Sequence, residues 1–291
     1  MRGVFAALLL LLAACGGRAP PAGPPRDGVL DRAADAARDA LNQDQPVVAG
    51  RLYAQALARA RERDDAVAID AMGFGQATSA LARGDAPAAL AVAREVRAEL
   101  ARRGRGASAG LLLAEATALF RLGRMAESDA LARIVASRGA ENPEAALRAH
   151  FLVGLLAAGR GDLPGVEAAR AAIGAPDQLA YRADAVELEG LAALLRGDAA
   201  TARLQGVTAA ALRRDSLDYR GLSRALALQA AALERLGERE AAADAWLRAG
   251  RGAAERSEAD ARGWLDRAQQ LAGGRADLLA AIAQAEALLA R

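Results

Sequence analysis

The feature that most constrains this chain is a turn that returns at a nearly constant interval. Five stretches almost superimpose: ARGDAPAAL (82–90), RLGRMAESDAL (121–131), GRGDLPGVEAA (159–169), LRGDAATA (195–202) and RLGEREAA (235–242). Their central glycines are Gly84, Gly123, Gly161, Gly197 and Gly237, spaced 39, 38, 36 and 40 residues apart. NQDQPVVA (42–49) places Asp44 in the same role 40 residues earlier, and Gly273-Gly274 reads as a terminal copy. A fixed period of this length means stacked units that each bury a face against the next.

Each turn has a local reason. Glycine takes the left-handed conformation that closes a helix, and Asp85, Asp162 and Asp198 follow as N-caps of the next one. Pro87 and Pro164 fall in a first helical turn, where a missing N–H costs nothing. Between turns, stretches such as LLLAEATALFRL and LALQAAALERL carry apolar residues at three- and four-residue spacing. The chain has 83 alanines, and aromatics make up only 3% of it, which favours helices over strands. The unit is therefore a helical hairpin.

The register sharpens this. Seven residues before the turn centres stand Ala37, Ala77, Ala116, Gly154, Gly190 and Ala230; five after stand Ala49, Ala89, Ser128, Val166, Ala202 and Ala242. Small side chains at both offsets let paired helices approach and the next hairpin nest. The pattern, from about Leu30 to Ala272, resembles the tetratricopeptide repeat (TPR), with Tyr53 and Trp246 surviving where the family carries large aromatics. The resemblance implies an all-α fold, a right-handed α-solenoid of six to seven TPR-like hairpins over residues 30–291. In that arrangement the first helix of each hairpin lines a concave, partner-binding wall.

Projecting the register puts Phe74, Thr78, Thr117, Phe120, Arg121, Arg148, Phe151, Asp184, Glu187, Arg224, Glu234 and Arg235 towards that groove. The expectation is an apolar N-terminal half, where Phe74, Phe120 and Phe151 grip a partner, and a polar C-terminal half that selects charge. The competing expectation is that the phenylalanines pack between hairpins. Trp246 and Trp264 are expected to join the last two hairpins, and Asp31, Asp35 and Asp39 to form a charged face on the first helix. His150, the lone histidine, is expected to take a solvent-edge or packing role, not to bind zinc. Asp184, Glu187 and Glu189 could in principle do paired-carboxylate hydrolysis, but they are read as an ordinary solvated face.

The N-terminus adds a second resemblance. Arg2 is followed by a nine-residue apolar segment, Val4 to Leu12, too short to span a bilayer but suited to an export signal. LAAC (12–15) resembles a bacterial lipobox, which implies a signal at 1–14 removed before a lipidated Cys15. Residues 15–29, rich in proline and glycine, read as a tether. Gly16 after the cysteine, where such lipoproteins carry Asp for inner-membrane retention, implies the outer membrane and its periplasmic face. Cys15 is the only cysteine, so no intramolecular disulfide can form.

The remaining composition narrows the function. A net charge of +2, from 38 basic and 36 acidic residues, gives no basic patch for nucleic acid. All the basic residues are arginine, so neither a phosphate-binding G-x-x-x-x-G-K loop nor lysine Schiff-base chemistry is available. No G-x-S-x-G nucleophile elbow is read in the chain. The expectation is a non-enzymatic, lipid-anchored scaffold for envelope proteins or peptides, with no metal and no cofactor beyond the lipid on Cys15. The alternative is an envelope lipoprotein that binds peptidoglycan or another polysaccharide, although Trp, Tyr and Asn are scarce.

Overall fold

The computed structural model describes residues 25–289. The signal, Cys15 and most of the tether lie outside them. Fourteen helices follow one another among the described residues, paired as seven hairpins. The first three hairpins are α1 (Gly28–Asn42) with α2 (Pro46–Glu62), α3 (Ala66–Ala82) with α4 (Ala86–Arg102), and α5 (Ala109–Arg121) with α6 (Met125–Ala136). Then come α7 (Pro143–Gly159) with α8 (Leu163–Ile173) and α9 (Leu179–Arg196) with α10 (Ala199–Asp215). The last are α11 (Tyr219–Arg235) with α12 (Arg239–Ala254) and α13 (Ala261–Leu271) with α14 (Ala276–Glu286).

Every repeated turn falls between the two helices of a hairpin, and its central residue is left-handed: Asp44, Gly84, Gly123, Gly161, Gly197, Gly237 and Gly273 all have positive φ. The hydrogen bonds at Gly84 show why. Its N–H donates to Leu81 O at 3.1 Å and the Asp85 N–H donates to Ala80 O at 2.9 Å, the paired closure of a Schellman cap. Asp85 then turns its carboxylate onto the Ala88 N–H at 3.0 Å, so one residue ends the first helix and starts the second.

All twelve small positions are buried, and the ten that have side chains are at 0% exposure. Their contact is direct in the third hairpin, where Ser128 Oγ donates to Ala116 O at 2.8 Å. Gly154 and Gly190 receive leucines from the next inner helix: a Cβ on either would lie 2.6 Å from Leu188 Cδ2 or Leu228 Cδ2. The odd-numbered helices accordingly touch in series from α1 to α11, while each even-numbered helix packs between its sequence neighbours. The pattern changes at the end, where α14 packs on α12. There Trp246 and Trp264 meet with ring centroids 6.5 Å apart and planes tilted by 37°, filling space that alanine leaves elsewhere.

The superhelix closes on itself. Arg220, at the start of α11, donates from Nη2 to Ala82 O at 3.2 Å, across 138 residues of sequence. A Cβ on Gly84 would stand 3.1 Å from Arg256 O, so the α3–α4 turn abuts the loop between α12 and α13.

Candidate functional site

This closure divides the concave wall in two. The first part is a cavity of about 480 Å³ between the C-terminal end of α5 and the middle of α7, bounded by the start of α11 and the α12–α13 loop. Thr117, Phe120, Arg121, Arg148, Phe151 and Arg224 line it, together with Leu152, Leu155, Arg220 and Glu258. The second is a shallower groove of about 510 Å³ across α3, α5, α7 and α9, lined by Val67, Asp70, Phe74, Ser108, Glu144 and Tyr181 among others. The two share Leu113 and Arg148.

The three phenylalanines differ in their surroundings. Phe74 is 40% exposed in the open groove and Phe120 is half-buried in the cavity, whereas Phe151 is 7% exposed. The guanidiniums of Arg213 and Arg224 cover the Phe151 ring at 5.3 and 5.4 Å from its centroid. Phe151 is thus mostly buried, yet it still borders the cavity. Thr78 is half-buried outside both cavities. Thr117 donates to Leu113 O at 2.8 Å.

The acidic residues correct the reading of a solvated face. Asp184 and Glu187 are 0% and 2% exposed because Arg213 reaches them from α10, its Nη2 at 2.7 Å from Asp184 Oδ1 and 2.6 Å from Glu187 Oε2. Arg148 adds a bond to Asp184 at 2.8 Å and lies 4.9 Å over the Tyr181 ring; Arg224 adds one to Glu187 at 2.9 Å. Burial pushes the Asp184 carboxyl above its ordinary range, and Arg213 and Arg148 offset only part of this. Burial works against the charge on Arg213 as well, but the carboxylates of Glu187, Asp184 and Asp218 outweigh it and hold the guanidinium charged. A carboxylate pair capped by arginines has no free position for substrate.

Glu234 and Arg235 lie apart from the cavity, by an open depression lined also by Trp246, Gly263 and Arg267. Both carboxylate oxygens of Glu234 accept from Arg267 Nε, at 2.9 and 3.0 Å, and the Trp246 indole N–H donates to Oε1. Arg235 is exposed. His150 is half-buried, and burial holds its pKa down.

GASAG (106–110) fits the G-x-S-x-G spacing, which corrects the reading that the chain has no such stretch. Its serine is a helix cap and not a nucleophile: Ser108 opens α5, accepts from the Leu111 N–H at 3.2 Å, and donates from Oγ to Asp70 Oδ1 at 2.9 Å. An elbow needs a strand running into the turn, and α4 precedes Ser108 where the strand would be. Among the described residues, no group of three His, Cys, Asp or Glu side chains is arranged to hold a metal ion, and no helix is long and apolar enough to cross a membrane.

Arg213, Arg220 and Glu258 were not anticipated. Arg220 precedes Arg224 by four residues, so extending the face that selected Arg224 by one helical turn reaches it. Arg213 and Glu258 lie on an outer helix and a loop, and no projection of inner helices finds them.

No family model matches the chain, and no curated protein matches it in sequence. Among solved structures, it is similar to the crystal structure of the apo form of RapI, at 9% identity and a TM-score of 0.53, over 89% of this chain and 76% of that one. A tetratricopeptide repeat protein from Parabacteroides merdae matches at 14% identity and a TM-score of 0.47, over 89% of this chain and 100% of that one. The TPR2AB-domain:pHSP90-complex of yeast Sti1 matches at 16% identity and a TM-score of 0.35, over 90% and 98%. At such identity, likeness speaks for fold alone. With the phased turns and nested small residues, the architecture is a TPR-like, all-α solenoid of seven hairpins among the described residues.

Proposed function

We propose that this chain is a lipid-anchored, non-catalytic scaffold on the periplasmic face of the outer membrane, and that it holds a segment of a partner envelope protein in the open part of its concave wall. The observation that carries the reading is Phe74. A large aromatic left 40% exposed on an inner helix, in an open groove that also contains Val67 and Tyr181, is surface that partner contact would bury. The LAAC stretch supports the anchor, because acyl chains on one thiol give lasting attachment where a nine-residue apolar segment cannot.

A photo-crosslinking residue placed at 74 in living cells tests the groove, with the same residue at Leu204 on outer helix α10 as control. A discrete envelope protein crosslinked from 74 and not from 204 supports the scaffold. Crosslinks to glycan favour the polysaccharide reading, and equal yields from both positions overturn a groove-specific partner. Separately, Cys15→Ser should move the protein from the membrane to the soluble fraction; retention there would refute the anchor.

A further inference from the structure

The cavity beside the closure holds one guanidinium that no carboxylate of the described residues engages. Arg213 is shared among Asp184, Glu187 and Asp218, while Arg148 and Arg224 pair with Asp184 and Glu187. Arg220 pairs with Glu258 at 3.2 Å. Those four guanidiniums use all four carboxylates of the network. Arg121 is the fifth guanidinium, and among the described residues it forms no ion pair; it donates to Leu81 O at 2.6 Å. Asp260 also borders the cavity but stands exposed at its rim.

Arg121 and Arg220 are held side by side because they grip consecutive carbonyls, Leu81 O and Ala82 O, at the C-terminus of α3. The partial negative charge of a helix C-terminus suits that, but it does not neutralise a full unit of charge. Burial, with Arg220 and Arg224 nearby, depresses the Arg121 pKa to about 10 against the pull of Glu258 and Asp218. Much of the remaining lining is apolar, with Phe120, Phe151, Leu152 and Leu155 facing the same space, while Thr117 and Ser257 add hydroxyls. A volume of about 480 Å³ falls in the small-molecule range of about 300–1,000 Å³. The α12–α13 loop seated on the α3–α4 turn shuts one side against a through-running chain.

We propose that this cavity binds a small monoanionic amphiphile, a carboxylate on an apolar body, with the carboxylate taken by Arg121 beside Arg220 and the body laid against Phe120, Phe151 and Leu155. A ligand carboxylate would give Arg121 the ion pair it otherwise lacks among the described residues, and planar guanidinium suits a carboxylate. An inorganic anion would leave the apolar lining uncovered, and a neutral apolar ligand would leave Arg121 unmatched. The site goes beyond the scaffold reading and is independent of it, since Phe74 lies outside the cavity.

The test is calorimetric titration of the purified full chain with octanoate, 1-octanol and octylamine. Saturable one-to-one binding of octanoate is expected, at least tenfold tighter than octanol, with no binding of octylamine. Arg121→Met should weaken octanoate at least tenfold and leave octanol unchanged, while Arg121→Lys, which keeps the charge but not the planar fork, should restore only part of the affinity. Equal affinity for octanoate and octanol, no saturation by octanoate, or undiminished octanoate binding by R121M would each overturn the proposal. The first two comparisons use the unaltered protein, so they decide the matter even if R121M fails to fold.

Discussion

Arg213 on outer helix α10 reaches Glu187 on inner helix α9 with Nη2 2.6 Å from Oε2, and neither side chain is open to solvent beyond 2%. The same guanidinium meets Asp184 at 2.7 Å and Asp218 at 2.9 Å, so one buried cation ties α9, α10 and the α10–α11 turn together. Removing one partner of such a pair strands the other charge in a medium that solvates it poorly. Arg213→Met should therefore cost about 3–5 kcal/mol, measured by urea unfolding. Arg213→Lys should recover little, because one ammonium cannot span three carboxylates as a planar fork does. A loss below about 1 kcal/mol for R213M would show that the network contributes little.

Close helix approach yields a paired prediction. A Cβ at Gly206 in α10 would stand 2.9 Å from the backbone N and 3.1 Å from the Cα of Gln229 in α11, and backbone cannot step aside. Gly206→Ala sets overpacking of about 1–3 kcal/mol against a helix-propensity gain of about 1 kcal/mol, so it should destabilise on balance. Gly263 in α13 has nothing within 4 Å of its would-be Cβ. Gly263→Ala should therefore raise stability by about 0.5–1 kcal/mol. Thermal unfolding of the two variants should shift in opposite directions.

The parts of this fold that the sequence shows openly are those decided within a few residues. A left-handed turn selects Gly84 or Asp44 by backbone sterics alone, and a nested hairpin selects Ala77 or Gly190 by the space left for a side chain. The solenoid was legible for that reason. The site was legible only in part. Arg213 is one of 38 basic residues, and nothing in LRRDSLDY sets it apart from Arg214. The meeting of Arg220 with Ala82 depends on rotation accumulated over several hairpins, which no local pattern records. Phe74 and Phe151 occupy inner helices alike, yet one is open and the other lies beneath two arginines. Ser108 shows the opposite failure, since a short spacing matched a catalytic motif where the fold needed only a helix cap.

Glu234 provides a titration with a built-in reporter. Burial would raise its carboxyl, but hydrogen bonds from Arg267 and the Trp246 indole outweigh this and hold it below the ordinary carboxylate range. The folded state thus binds this proton less readily than the unfolded chain does. Its stabilisation is complete above the unfolded glutamate value of about 4.3 and is lost as pH falls through the lower folded value. Trp246 and Trp264 are the only tryptophans, so their fluorescence on acidification from pH 6 should change in that window. Glu234→Gln should flatten the change there while leaving acid unfolding at lower pH; an unaltered profile would assign the change to other carboxylates.

Closure of the superhelix rests on few contacts, and Arg220 makes one of them, to Ala82 O at 3.2 Å, while its ion pair with Glu258 Oε1 at 3.2 Å lies on its own side of the seam and orients the guanidinium. The bond to Ala82 joins parts of the chain that share no hairpin, so its loss should loosen the ring without unfolding the repeats on either side. Each hairpin keeps its own cap, such as the Asp198 N–H bonded to Ala193 O at 2.9 Å, whatever happens at the seam. In Arg220→Ala, amide hydrogen exchange should therefore quicken at Gly84, Asp85 and the 257–260 segment by about tenfold, equivalent to about 1.4 kcal/mol. Exchange at Gly197 and Asp198 should hold. Uniform acceleration across all seven hairpins would mean that Arg220 supports the fold as a whole, whereas no change at the seam would mean that packing of the α12–α13 loop on the α3–α4 turn suffices to keep the cavity shut.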